Sequence, residues 1–384
     1  MSLPVDARRR PTFQREEKHE IRHLLSVWCA VALSWVFWVT PVAARYWFAD
    51  RVGDIASHRS PTYFQNVSSN LKQASRGSIS NSELDRAVRD TFKVSGRNFM
   101  DLITMARMSH RTLLNSVTLT EGDWSMIENA IAKGRGVIFV TGHVGCFDFI
   151  GQLFRARGYK LTIVTGRTTS RFLFDGVTHL RGSHGNTLVE PTPSGVRHVI
   201  RALRRGECAV FLSDRDFFQN GRKVTFFGKT TTLPPGAIRI ARDTGAVVVP
   251  IFSCRLDRGH ELRILEPFIV PSTTDVDSDV DLGLTKLAAN LEKGIAGNLR
   301  QWAMFQRVWL DQPAPSVRVF PVGSPLESEL MEKVAAALPE RHGDRSDTKS
   351  PFAASRSRRR SGTELVTDSS QTEVQPDSPR PSTD

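Results

Sequence analysis

Cysteine is scarce in this chain and never paired in sequence: Cys29, Cys146, Cys208 and Cys254 are scattered over 384 residues with no CxxC. Such spacing suits a reducing compartment and opposes both a disulfide framework and a zinc site. No other ligand cluster with metal spacing appears, so neither a metal nor a redox cofactor is expected. No internal repeat runs through the alternating region from Ser116 onward, which leaves no basis for a repeat architecture there. A convincing small-x-small cleavage site is missing and the basic head is long, so a cleaved signal peptide is not expected. Acidic residues are outnumbered, 40 Asp and Glu against 52 Lys and Arg, giving +12 and a pI near 10. The imbalance points to an anionic partner, whether a phospholipid surface, a phosphorylated cofactor or nucleic acid.

Formal charge is absent altogether from Leu24 to Ala44, a run holding Trp28, Trp35, Phe37 and Trp38, with Trp47 just beyond. As a helix it covers roughly 30 Å, enough to cross a bilayer. Basic residues flank both ends, tryptophans suit an interface, and Pro41 can kink or end the helix. A shallow or re-entrant membrane anchor is therefore expected over residues 23–48, after a basic polar N-terminus at 1–22. The alternative is a buried core helix.

Beyond the anchor the chain divides into blocks. Residues 49–115 read as a helical linker region. Ser80-Asn-Ser-Glu83 has capping-box spacing, and Leu84, Val88, Phe92 and Phe99 recur at helical intervals, predicting a helix near 81–108. Between 116 and 312 helical and strand patterns alternate. Helices are expected near 121–133, 146–157, 171–181, 193–205, 235–244 and 280–300. Strands are expected near 136–141, 160–165, 187–189, 208–213, 246–253 and 261–265. This is an α/β pattern, a mostly parallel central sheet covered by helices on both faces. A C-terminal extension at 313–338 can add a short helix over 326–338. Residues 339–384, rich in Ser, Arg, Asp and Pro, read as a disordered tail.

Chemistry concentrates in Val137-Ile-Phe-Val-Thr-Gly-His-Val-Gly-Cys-Phe-Asp148, which reads as strand, tight turn and helix. His143 then stands at a strand's carboxyl end, where ligands gather in such sheets. Asp148, in the first turn of the helix, is expected to fold back onto the imidazole and orient it as a general base. The plainer alternative is a loop histidine beside a helix-capping aspartate. Asp214-Arg215-Asp216 follows another strand and could face the same crevice, with Arg215 as an anion contact; solvated ion pairs are the alternative. Phe226-Phe227 beside Gly228 could line a slot for an alkyl chain or could be core. Arg181 is a candidate phosphate contact. Cys146, three residues from His143, offers a rival nucleophile, against a small buried residue.

Together Gly142-His143 with Asp148, Asp214-Arg215-Asp216, Phe226-Phe227-Gly228, the stretch from Gly236 through Gly245-Ala246 to Pro250, and Gln301-Trp302 with Phe305 and Arg307 resemble the bacterial lysophospholipid acyltransferase family. That family includes the late acyltransferases of lipid A biosynthesis and the phosphatidylinositol mannoside acyltransferases. The likeness covers roughly residues 25–310 and reaches upstream to Asn70-Leu71, Phe92 and Gly96-Arg97. It implies that His143 is the catalytic base and Asp148 its partner, and that Arg181, Asp214 and Arg215 stand in the family's second and third blocks. Cys146-Phe147 replaces the family's frequent Asn-Trp, and Asp148 its frequent Glu.

The expected activity is transfer of a fatty acyl chain from acyl-CoA or acyl carrier protein to a hydroxyl of a glycolipid or lysophospholipid. It would take place at the cytoplasmic face of the plasma membrane. Gly145 and the following helix start are expected to supply oxyanion donors; Gly145, Arg181, Asp214, Arg215, Asp216, Phe226 and Phe227 form the expected substrate site. Partners are the membrane surface, the lipid acceptor and the thioester donor, with no specific nucleic acid and no signal for an oligomeric state. Two other readings are a thioesterase or lipid hydrolase built on the same pair, and a non-enzymatic basic membrane adaptor.

Overall fold

Helices precede the sheet, and proline and capping chemistry set their ends. The computed structural model describes residues 12–119, 121–166 and 170–310, with the backbone alone for 12–21, 121–122 and 171. All of these lie in one unit, Met1–Glu332; the second, Lys333–Asp384, falls outside the described residues, as do the extension at 313–338 and the tail expected at 339–384.

The first helix, α1 (Thr12–Val39), stops just short of Pro41, and α2 (Val42–Arg59) restarts behind it. The proline thus divides the segment expected as one anchoring helix, since its missing N–H and its ring end the preceding ladder. Within α1 the window Arg22–Val39 is long and apolar enough to cross a membrane, at mean hydropathy 1.4, yet only 17% of it is buried. That exposure does not fit a core helix. One side of α1 is tied down: Ser26 donates to the Phe172 carbonyl, and Arg107 donates to Ser34 Oγ at 2.8 Å while lying over the Trp35 ring. The other side leaves Trp28 69% exposed.

After α3 (Pro61–Ala74), the capping box is realised at the start of α4 (Asn81–Met105): Glu83 N–H donates to Ser80 Oγ, and Ser80 N–H donates to Glu83 Oε2 at 2.9 Å. Small residues let α2 and α4 meet closely, because a Cβ on Gly96 would stand 2.7 Å from the Ala49 carbonyl oxygen. The buried stripe of α4 runs through Leu84, Val88 and Phe92 as expected, but continues through Asn98, Asp101 and Leu102; Phe99 is exposed. Polar and charged groups therefore enter a region that periodicity assigns to apolar contacts.

The α/β region then unfolds in order: α5 (His110–Asn115), β1 (Val117–Thr118), α6 (Glu121–Ala132), β2 (Val137–Thr141), α7 (Asp148–Ala156), β3 (Leu161–Val164), α8 (Arg171–Gly182), β4 (Thr187–Val189), α9 (Pro193–Arg204), β5 (Cys208–Leu212), β6 (Arg222–Phe226), β7 (Lys229–Leu233), α10 (Gly236–Thr244), β8 (Val247–Arg255), β9 (His260–Ile264) and α11 (Val276–Ala296). Seven strands form one sheet in the order β1-β9-β8-β2-β5-β3-β4. The pairs β8/β2, β2/β5, β5/β3 and β3/β4 are parallel; β9 runs antiparallel to β8, and β1 parallel to β9. The sheet is thus mostly parallel, as continuous apolar strands require when both faces are covered. Val137 and Phe139 of β2 pack with Ile127 of α6 and Phe149 and Phe154 of α7 in the core, while α9 and α10 reach β5 and β2.

A hairpin absent from the sequence expectation, β6/β7, pairs Phe226 with Lys229 across Phe227-Gly228. Both turn residues have positive φ, 48° and 76°. Two consecutive left-handed residues make a tight two-residue turn, usually signalled by Asn-Gly; a phenylalanine in the first place hides it.

Gly145 has a stricter requirement than any turn, for its φ is +56° and a Cβ there would fall 1.9 Å from the Ser253 carbonyl oxygen. Backbone, not a movable side chain, blocks the space. Gly145→Ala should destabilise the fold by about 3–5 kcal/mol, read as a lowered melting temperature or loss of soluble protein; a wild-type melting curve would refute the tight approach.

Candidate active site

Sheet register brings two of the expected site residues together. β2 and β5 pair in parallel with Thr141 opposite Leu212, and Ser213 N–H extends the pairing by donating to the Thr141 carbonyl at 2.8 Å. Two residues beyond that rung, His143 and Asp214 leave neighbouring strand ends side by side. His143 Nδ1 lies 2.7 Å from Asp214 Oδ1, and its backbone N–H donates to Oδ2 at 2.7 Å. Trp302 Nε1 donates to the same Oδ2 at 2.9 Å. Gly142 makes room for this, since a Cβ would stand 2.9 Å from Asp214 Oδ2.

Asp214 is fully buried, while the His143 side chain is 25% exposed. Burial alone pushes the Asp214 carboxyl up, but the His143 charge, the two His143 hydrogen bonds and the Trp302 indole outweigh it, leaving the group below its ordinary value. An ionised Asp214 can only accept, so Nδ1 carries the proton between them and Nε2 is the ring nitrogen left for another partner. Nε2 makes no hydrogen bond among the described residues. The Phe147 ring meets the imidazole edge-on at 5.2 Å and limits its rotation.

Asp148 takes another partner. Arg181, in the last turn of α8, donates through Nε to Asp148 Oδ1 at 2.6 Å and through Nη2 to Oδ2 at 3.3 Å, while Nη1 donates to Thr165 Oγ1 at 3.1 Å. No hydrogen bond joins Asp148 to His143. The carboxylate expected beside the imidazole instead forms a two-pronged pair that ties α7 to α8, and the carboxylate bonded to the imidazole is that of Asp214.

The remaining expected site residues separate into distinct surroundings. Gly145 N–H donates to the Gln301 carbonyl at 3.0 Å, so it is already engaged and not free as an oxyanion donor; its carbonyl accepts from Asn98 Nδ2 at 2.6 Å. Asp216 turns away from His143 and shapes its own loop, with Oδ2 accepting from Gly221 N–H at 2.9 Å and Thr232 Oγ1 at 2.7 Å. Phe226 and Phe227 are buried against Trp302 and Trp309, in the role of core rather than slot. Arg215 is half-buried over the Phe217 ring with no carboxylate partner among the described residues. Burial disfavours its charge, and Asp214 partly compensates.

A second polar network lies under the turn. Arg255, at the end of β8, donates to Tyr46 Oη at 3.0 Å, to Asn98 Oδ1 at 2.9 Å and to Asp101, while Tyr46 donates to Asp101 at 2.8 Å. Neither Asn98 nor Arg255 stands out in the sequence; the available signals are a polar residue on the buried stripe of α4 and a charge closing an apolar strand. Asp101, Cys146 and His260 also bring three metal-ligand-type atoms within 4.8 Å of one another, which linear spacing does not reveal. The Arg255 guanidinium already occupies the Asp101 carboxylate, so an added cation would meet a fixed positive charge. Burial pushes the His260 imidazole down to about 4 and the Cys146 thiol well up. A fully buried, protonated Cys146 fits packing rather than nucleophilic attack.

The chain matches a family profile described as bacterial lipid A biosynthesis acyltransferase over residues 11–311. The chain belongs to that family. Phosphatidylinositol mannoside acyltransferase of Mycobacterium tuberculosis (strain CDC 1551 / Oshkosh) is 26% identical over 227 residues, 58% of this chain and 70% of the relative. Its counterpart in Mycolicibacterium smegmatis is 26% identical over 234 residues, 59% of this chain and 73% of the relative. The lipid A biosynthesis acyltransferase of Haemophilus influenzae is 27% identical over 137 residues, 33% of this chain and 40% of the relative. The protein is accordingly an acyltransferase, which leaves the non-enzymatic adaptor reading without support.

Two substitutions separate the roles in this acyltransferase. Asp214→Asn should lower turnover by about 10²–10⁴-fold with the fold retained, measured as thiol release in the presence of acceptor. Cys146→Ser should keep turnover within about twofold of wild type; loss of activity in a folded Cys146→Ser protein would restore the acyl-cysteine route.

Proposed function

We propose that this acyltransferase works at a membrane surface, moving a fatty acyl chain from an acyl thioester, acyl-CoA or acyl carrier protein, to a hydroxyl of a phosphatidylinositol mannoside-type glycolipid. The observation that carries this reading is the quarter-exposed His143, whose Nδ1 is held by a buried, ionised Asp214 and whose Nε2 is free to take a proton. Three relatives named as phosphatidylinositol mannoside acyltransferases favour that acceptor class over lipid A.

In the proposed reaction His143 Nε2 removes the acceptor hydroxyl proton as the oxygen attacks the thioester carbonyl. The tetrahedral oxyanion collapses, the C–S bond breaks, and the imidazolium returns the proton to the departing thiolate. Asp214 stabilises the imidazolium between the two transfers. Arg215, a half-buried cation at the same strand end, is suited to a phosphate of either substrate or to the developing oxyanion. The thioester is an activated donor, so these steps need proton transfer and charge stabilisation alone.

Membrane association is supported by the exposed apolar side of α1 and by α2, where Trp47 is 62% exposed with Arg51 over its ring. Because α1 is bonded to α8 at Ser26, and Arg107 just beyond α4 holds it at Ser34 and Trp35, it lies along the catalytic unit, which favours a shallow anchor over a full span. On this reading the transfer takes place at the cytoplasmic face of the plasma membrane.

The test is lipid mass spectrometry of cells with and without the gene. Deletion should remove one acylated glycolipid, which wild type restores and His143→Ala does not. Purified enzyme that releases free fatty acid but leaves the glycolipid unchanged would replace this reading with a thioesterase or lipid hydrolase.

A further inference from the structure

Among the three hydrogen bonds that Asp214 accepts, two come from His143 itself, one from its backbone and one from its ring. The third comes from Trp302, fully buried just beyond the short 3₁₀ turn Leu299–Gln301. The chain around the indole fixes its place. Its neighbours in sequence bond to the catalytic turn on both sides: Ala303 N–H donates to the His143 carbonyl at 2.8 Å, and the Gln301 carbonyl accepts Gly145 N–H. Phe226, Phe227 and Trp309 pack around its ring at centroid distances of 6.4, 6.3 and 6.3 Å. Asn70 holds the following segment by donating to the Met304 and Gln306 carbonyls at 3.0 and 2.7 Å and accepting Val308 N–H at 3.1 Å.

We infer that Trp302 is a positioning residue for the transfer, whose indole N–H keeps the Asp214 carboxylate oriented and anionic so that His143 presents a proton-free Nε2. This role rests on the His143–Asp214 reading of the reaction. The physical need is plain. A fully buried carboxylate is pressed toward its neutral form, and a protonated Asp214 would let the imidazole turn its donor toward the substrate. The charged or titratable groups facing Asp214 are His143 and, from the next position, Arg215, itself beside Tyr63. The His143 ring changes charge during turnover, so the donors whose bonds to Asp214 hold through the cycle are the His143 backbone N–H and the Trp302 indole, and of these the indole is the side chain.

The test uses the full-length enzyme with long-chain acyl-CoA and phosphatidylinositol mannoside in phospholipid vesicles, following thiol release. Trp302→Phe removes the donor but also some packing; replacing Trp302 by 3-benzothienylalanine, with sulfur in place of the N–H, removes the donor at constant shape. Both should lower kcat about tenfold at unchanged KM and move the acidic limb of the pH profile upward by about one pH unit, because Asp214 then binds the shared proton more tightly. An isostere with wild-type kcat and an unmoved acidic limb overturns the inference. His143→Ala, run alongside, separates the failures: an active His143→Ala enzyme removes the dyad itself, whereas an inactive one with an unshifted isostere removes only the role of Trp302.

Discussion

One fully buried carboxylate organises the strand ends around His143. Asp214 is fully buried, so its charge depends on where three stretches arrive: its own strand end and the two that bring its donors, the turn after β2 and the segment after α11. Each must arrive within a few tenths of an ångström for the charge to persist. The parallel register of β2 and β5 meets the first condition, Gly142 the second by omitting a side chain, and the Asn70 clamp on residues 304–308 the third.

The same turn is braced from beneath by chemistry of a different kind. Arg255 and Asp101 form a buried ion pair reinforced by Tyr46 and Asn98, and Asn98 passes the constraint to the Gly145 carbonyl. A buried pair of this sort adds little net stability over apolar packing, but removing one member leaves an uncompensated charge. Its value here lies in geometry, since it fixes where the chain emerges after His143. Asp148 and Arg181 brace the next helix in the same manner.

Much of the architecture is legible in the sequence because it rests on local rules. The capping box at Ser80, the glycine closing α10 at Gly245 and the apolar strands of the sheet all carry signals within a few residues. His143 at a strand end and Asp214 at the equivalent place are legible too. Which acid orients the histidine is not. Asp148 lies in the adjoining helix, whereas Asp214 is 71 residues away, and only the pairing of β2 with β5 makes the distant one the neighbour. Asn98 and Arg255 escape for the same reason, as does the role of Trp302, since their partners are set by topology rather than spacing. Phe99 departs from its expected burial because periodicity cannot distinguish a stripe that turns polar from one that continues one residue along.

The hydroxyl of Tyr46 has a consequence for how the protein can be dissected. It stands on a helix that also carries Trp47 and Phe48 exposed to solvent, yet it is bonded directly into the Asp101–Arg255 brace. The leading helices are therefore not a detachable tether. A shortened form beginning after α2, made to escape detergent, would lose a phenol from the heart of the brace, and grafting the corresponding helices from a relative would succeed only if they carried an equivalent donor.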